Sequence, residues 1–140
     1  MTFNNLVKLI KESTQSPYIL VVEDNPGLQS LFKKTIPMKA GISQESIIVF
    51  DNASESIIYI GENYDRITHY SLDFDLAQGE KGTQVAEFLS QRGNNGDNVW
   101  IHSGNTDRRE EFLAYLPAAH ITPSPANTEA IAHNIKATLY

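Results

Sequence analysis

The sequence predicts a doubly wound α/β fold, with one parallel sheet and helices on both faces. Three observations point to it. Apolar β-prone runs alternate with helical stretches along the chain. The strongest run, Tyr18 to Val22, is continuously apolar, as suits a strand buried on both faces. Acidic residues follow two of the runs, at the strand ends where such sheets carry their chemistry.

Each element has its own signal. Phe3, Leu6, Val7 and Ile10 are spaced for one helix face, so residues 2–13 are expected to form an amphipathic helix ending near Ser16-Pro17. Residues 1–16 are read as this extra N-terminal helix and 17–140 as the main domain. After the first strand, Asn25 can cap a helix opened by Pro26, with Leu28, Leu31, Phe32 and Ile36 as its stripe. Ser46 to Phe50 reads as a second strand. Residues 53–62 read as a helix, although Ile57, Ile58, Tyr59 and Ile60 also suit a strand. Ile67 to Leu72 is the third strand, leading into Asp73. A helix with Val85, Phe88 and Leu89 follows Gly82. Asn98 to His102 is the fourth strand, residues 106–116 a helix, and Ala118 to Thr122 the fifth strand. Ile131, Ile135 and Leu139 mark the last helix. Right-handed crossovers then favour a flavodoxin-like five-stranded order.

Composition narrows the function. The chain has 140 residues, enough for one core. A formal net charge of −6 argues against nucleic acid or an anionic membrane as the partner. The absence of cysteine removes disulfides, zinc-thiolate sites and thiol nucleophiles. No apolar run approaches the ~20 residues of a membrane span. The start mixes Asn4, Asn5, Lys8 and Lys11 with its apolar residues and has no signal-peptide pattern. A cytoplasmic chain without an attached output domain is expected. The glycines of Gly79-Glu-Lys-Gly-Thr83 lack the order of a phosphate loop and read as a turn. His69, His102, His120 and His133 show no metal-ligand spacing.

Glu23 and Asp24 follow the first strand and Asp73 the third, so adjacent strands would bring three carboxylates together. Crowded carboxylates repel one another unless a cation sits among them. Oxygen ligands select a hard cation, and Mg²⁺ is usual where phosphate is also bound. A carboxylate beside it can act as a nucleophile toward phosphorus. The competing reading makes these acids helix caps and solvated loop residues.

Ile19-Leu-Val-Val-Glu-Asp-Asn-Pro26, Ser71-Leu-Asp-Phe-Asp-Leu76 with Gly82, and Trp100-Ile-His-Ser-Gly104 occur in that order. Over residues 18–139 this set resembles the response-regulator receiver family. The resemblance implies that Asp73 is the phosphoacceptor. It implies that Asp24 binds Mg²⁺ directly, that Glu23 supports it through water, and that Asp75 offers its backbone carbonyl. Ser103 would hydrogen-bond a phosphoryl oxygen. A histidine kinase or phosphotransfer protein would be the donor, and a downstream protein the recipient of the signal. One departure stands out. The family places Lys-Pro after the fifth strand, where this chain has His120-Ile-Thr122-Pro123. Thr122, or Pro123 if the register slips by one, then stands in for the Lys, and a charge-assisted contact on the order of 1.5–3 kcal/mol is missing. Lys81 is a substitute candidate.

A narrower resemblance rests on Ser71 to Leu76, Gly82-Thr83, Val85 to Leu89 and Ile101-His-Ser-Gly-Asn105. These resemble the cyclic-phosphate-processing receiver branch. That resemblance implies a site lined by Asp73, Asp75, His102, Ser103 and Asn105, with His102 as an acid-base group. Strand alternation sends His102 and Ser103 to opposite faces, which opposes it in part.

Three readings stay open: a phosphorylated signalling receiver, a pseudo-receiver that binds partners without phosphorylation, and a phosphoesterase-like enzyme. The Phe3–Ile10 stripe packs on the domain or forms a dimer or partner contact.

Overall fold

A computed structural model describes residues 2–3, 16–102, 106–122 and 126–139. The expected N-terminal helix lies almost wholly outside the described residues. The rest forms a five-stranded parallel sheet: β1 (Ile19–Val22), β2 (Ile47–Phe50), β3 (His69–Leu72), β4 (Val99–Ile101) and β5 (His120–Ile121). The spatial order is β2-β1-β3-β4-β5. This is the doubly wound order expected from the sequence, and it places β1 beside β3. The helices are α1 (Pro26–Ala40), α2 (Ala53–Asn63), α3 (Gly82–Gln91), α4 (Thr106–Tyr115) and α5 (Ala126–Leu139).

The two faces of the sheet bury different side chains. Leu20, Val22, Tyr70, Leu72, Val99 and Ile101 point toward α2, α3 and α4, where they meet Ile60, Val85, Leu89 and Phe112. Ile19, Val21 and Trp100 point the other way, against Phe32 and Ile36 of α1 and Ile131 and Ile135 of α5. Strand alternation puts each residue on one face only.

Local chemistry sets several boundaries. The Asn25 side chain accepts from the Gly27 and Leu28 amides at 2.9 and 3.1 Å, so α1 opens at Pro26. The β-prone run Ile57–Ile60 is helical because α2 is capped twice. Asn52 Oδ1 accepts from Glu55 N at 2.8 Å, and Glu80 accepts from the Ala53 and Ser54 amides. Glu80 arrives from the loop after β3, and no local pattern announces it. β5 covers only two of the five residues expected, because Ala119 N bonds back to Leu116 O before the strand can start.

Candidate functional site

The site grows from the carboxyl ends of β1, β3 and β4. Glu23 continues the parity of Ile19 and Val21, and Asp73 that of His69 and Ser71. The β3–β4 register pairs Leu72 with Ile101, so the next step sets Asp73 beside His102. Glu23 N donates to Phe50 O, Asp73 N to Val22 O, and His102 N to Leu72 O, which pins all three strand ends. As a result Glu23, Asp73 and His102 bring ligand-type atoms within 4.8 Å of one another, on the α1–α5 face.

Glu23 and His102 are buried, at 1% and 5% exposure, while Asp73 is half-buried and Asp24 exposed. His102 Nε2 lies 3.1 Å from Glu23 Oε1. Asn25 N donates to Glu23 Oε2 at 3.0 Å, so both oxygens of this carboxylate are occupied by the protein. His102 Nδ1 lies 2.8 Å from Ser71 Oγ, and the ring packs on Phe32 with centroids 5.0 Å apart. Ser71 Oγ is 2.8 Å from Asn127 Oδ1, and Asn127 Nδ2 donates to Thr122 Oγ1 at 2.7 Å. Crowded acid is thus partly answered from within, by an imidazole seated against Glu23.

The electrostatics divide the carboxyls. Burial alone would raise Glu23. The hydrogen bonds from His102 and Asn25, with the His102 charge, outweigh it and hold Glu23 below its usual range. Asp73 is pushed up to about 6, first by burial and then by the charge of Glu23. Asp24 is also raised, by desolvation and by its hydrogen bond and repulsion with Glu23.

The other expected residues separate into two groups. Asp75 is exposed and pairs with Lys81 Nζ at 2.9 Å. Lys81 also lies 5.2 Å from the centroid of the Phe74 ring, and Arg108 Cζ lies 4.1 Å from it. Thr122 N donates to Ile101 O, and its hydroxyl meets Asn127. Ser103 and Asn105 lie outside the described residues. The resemblance offered His102 only as an acid-base group and gave it no protein partner. The His102 ring is satisfied by the acidic cluster itself. Strand parity, which turns it away from Ser103, also puts it on the face of Ser71. Asn127 carried no signal, since a polar residue in the first turn of a helix is ordinary.

A family model described as the cyclic-phosphate processing receiver domain matches residues 18–118. The chain belongs to the cyclic-phosphate processing receiver domain family. Solved structures agree on the fold. A CheY-like response-regulator receiver domain from Methanospirillum hungatei is 18% identical, with a TM-score of 0.66, covering 88% of this chain and 93% of that one. A chain of the CheX–CheY–BeF3–Mg²⁺ complex of Borrelia burgdorferi is 14% identical, with a TM-score of 0.66, covering 93% of this chain and 94% of that one. The receiver domain of a LuxO repressor protein from Vibrio parahaemolyticus is 20% identical, with a TM-score of 0.65, covering 88% and 89%. No curated protein matches the chain. Both resemblances read from the sequence therefore hold, the receiver fold and the cyclic-phosphate-processing branch. No helix among the described residues of this receiver domain is long and apolar enough to cross a membrane.

Proposed function

We propose that this receiver domain handles phosphoryl groups at Asp73, accepting one from a phosphohistidine donor in a phosphorelay. The observation that carries the reading is a difference in access. Within the Glu23–Asp73–His102 cluster, Glu23 and His102 are buried and bonded on every ligand atom. Asp73 is half-buried at a strand end. Asp73 is therefore the carboxylate of the cluster that a donor can reach. Its oxygen would attack phosphorus, the bond to the donor nitrogen would break, and that nitrogen would keep the electron pair and take a proton.

Mg²⁺ fits the donor set. The available groups are hard oxygens, and both His102 nitrogens are already engaged. Asp24 and Asp73 are both raised by their surroundings, a cost that a cation relieves. Asp24 and Asp73 would hold the ion, with the Asp75 carbonyl, and Glu23 behind them. Bound there, Mg²⁺ supplies charge neutralisation to pocket and phosphoryl group alike.

Two observations favour a second reading, hydrolysis of a cyclic phosphate. The family model carries that description, and the residue after β5, where the receiver resemblance places a lysine, is a threonine tied to Asn127. Here Asp73 would take a proton from water, water oxygen would bond phosphorus, and one ring P–O bond would break, its oxygen keeping the electron pair and taking the proton from Asp73. The third reading, a partner-binding pseudo-receiver, predicts neither chemistry.

One sample separates them. The protein is treated with an acyl phosphate donor and Mg²⁺, and its intact mass is measured beside Asp73→Asn. Gain of one phosphoryl group in the parent alone supports the phosphoacceptor. No gain, with turnover of a nucleoside cyclic phosphate that Asp73→Asn abolishes, replaces it with the hydrolase. Neither result leaves the pseudo-receiver.

A further inference from the structure

Ser71 and Asn127 are fully buried at 0% exposure, on the face that also carries Val21, Phe32, Trp100 and Ile131. Packing does not call for them, because an apolar pair would fill the same space without the cost of desolvating a hydroxyl and an amide. What they share is a ligand of their own. They form the middle of one continuous hydrogen-bonded chain, from Thr122 after β5 through Asn127 on α5, Ser71 on β3 and His102 after β4 to Glu23 after β1.

We propose that Ser71 and Asn127 are positioning residues for His102, fixing the ring so that Nε2 faces Glu23. The logic is one of hydrogens. Asn127 Nδ2 donates to Thr122 Oγ1, which turns Oδ1 toward Ser71. The single hydroxyl hydrogen of Ser71 is then used on Asn127. The contact between Ser71 Oγ and His102 Nδ1, at 2.8 Å, must be made with a hydrogen that Nδ1 brings. Asn127 thereby selects the ring arrangement through Ser71, and Phe32 closes the ring from the side. The first turn of α5 becomes part of the site, although the family match ends at residue 118. Partners one step removed from a reacting centre act in this way, and their loss typically costs ~10–100-fold at metal sites. The consequence for phosphoryl chemistry rests on the reading of Asp73 given above. The positioning of the ring does not.

The test uses the full chain without metal at one fixed pH. Long-range nitrogen–proton correlations of the His102 ring show which nitrogen carries hydrogen. The parent should give one ring species, with hydrogen on Nδ1 toward Ser71 and on Nε2 toward Glu23. Asn127→Ala should shift or broaden the Nδ1 signal, and Ser71→Ala should do the same. Asn127→Asp keeps an acceptor toward Ser71 and should restore the parent pattern. Where Asn127→Ala does not fold, Ser71→Ala, which removes one oxygen, decides alone. Ring signals unchanged in the folded variants overturn the proposal. A second measurement follows Asp73 labelling by an acyl phosphate. The rate should fall about 10-fold in Asn127→Ala and recover in Asn127→Asp. If the parent itself takes no label, the phosphoacceptor reading fails while the ring spectra still judge the positioning.

Discussion

The two faces of the sheet are built by different rules. Toward α2, α3 and α4 the strands present Leu20, Val22, Leu72, Val99 and Ile101, and the packing is almost wholly apolar. Toward α1 and α5 the same strands present His69, Ser71, Trp100 and, past their ends, Glu23 and His102. The first face holds the sheet together through burial, which tolerates rearrangement if volume is kept. The second holds a polar chain whose members each need a named partner. Among the described residues the buried carboxylate, Glu23, lies on the second face, and the chemistry proposed above follows it.

The largest effect is expected where the dry face touches the site. Gly82 opens α3 and lies under the end of β3. A Cβ there would stand 1.7 Å from the Asp73 carbonyl oxygen and 3.0 Å from the Phe112 ring. Ordinary overpacking costs roughly 1–3 kcal/mol, but here the obstacle is backbone and cannot turn aside. Gly82→Ala should exceed that range, by urea unfolding, or prevent folding. A folded variant with parent-like stability would mean that the loop from Asp73 to Gly82 is free to move, and that the strand end does not fix Asp73.

The next effect belongs to the polar face. His102→Ala removes the partner of a buried carboxylate and leaves Ser71 short of a contact. Breaking a buried pair from one side costs roughly 3–5 kcal/mol. Truncating Ile101 to Ala on the dry face costs a similar ~2–5 kcal/mol by a different route, through a cavity. Acid separates the two. Glu23 is held below its usual range, so its stabilisation is present above the unfolded value and lost as pH falls through the folded one. The deficit of His102→Ala should therefore shrink on acidification, while that of Ile101→Ala should not. Parallel deficits at both pH values would remove the ionic account of the pair.

This contrast also explains what the sequence could show. The dry face is written in periodicity: Leu20 and Val22 within the run from Tyr18, and the stripe of Val85 and Leu89, announce a strand and a helix. The meeting of Glu23 and Asp73 could be read because they end neighbouring strands, whereas Asp24, expected with them, is exposed and outside their cluster with His102. The Ser71–Asn127 link joins residues 56 positions apart and has no local pattern. His102 was visible as a residue but not as a partner, since its role depends on the one-residue register that sets it beside Asp73. The strand alternative for Ile57–Ile60 was settled by Glu80, 20 or more residues away, capping α2 through space.

A third effect has the opposite sign. Asp73 is raised to about 6 from an ordinary value of 3.8, so it resists ionisation in the fold. A folded carboxyl above its unfolded value holds its proton longer, and stability falls as pH rises between the two. In metal-free buffer the parent should lose up to about 3 kcal/mol across that window, less what solvent at this half-buried group screens. Asp73→Asn should remove this part of the pH dependence and be the more stable protein at neutral pH. Mg²⁺ should narrow the gap, because it stabilises the parent by mass action. If Asp73→Asn is instead the weaker protein without metal, the hydrogen bond from Phe74 N to Asp73 Oδ1 outweighs the crowding.

The smallest effect tests whether the missing lysine has been replaced. Lys81 reaches Asp75 and lies over Phe74, whose ring Arg108 also covers. Its side chain is 44% exposed and that of Asp75 is 73% exposed, so the pair sits in water. Exposed pairs contribute about 0–1 kcal/mol, and Lys81→Ala should change stability by no more. The same geometry bears on phosphate. A cation that answered a phosphoryl group on Asp73 would have to leave Asp75 and turn toward the polar face, while Phe74 points to the dry one. Binding of a phosphate analogue with Mg²⁺ should therefore weaken less than threefold in Lys81→Ala. A direct charge-assisted contact would be worth about 1.5–3 kcal/mol, or roughly 10–100-fold. A loss of that size would move Lys81 into the site. It would also blur the contrast between the faces, since a residue packed on the dry side would then be serving the charged one.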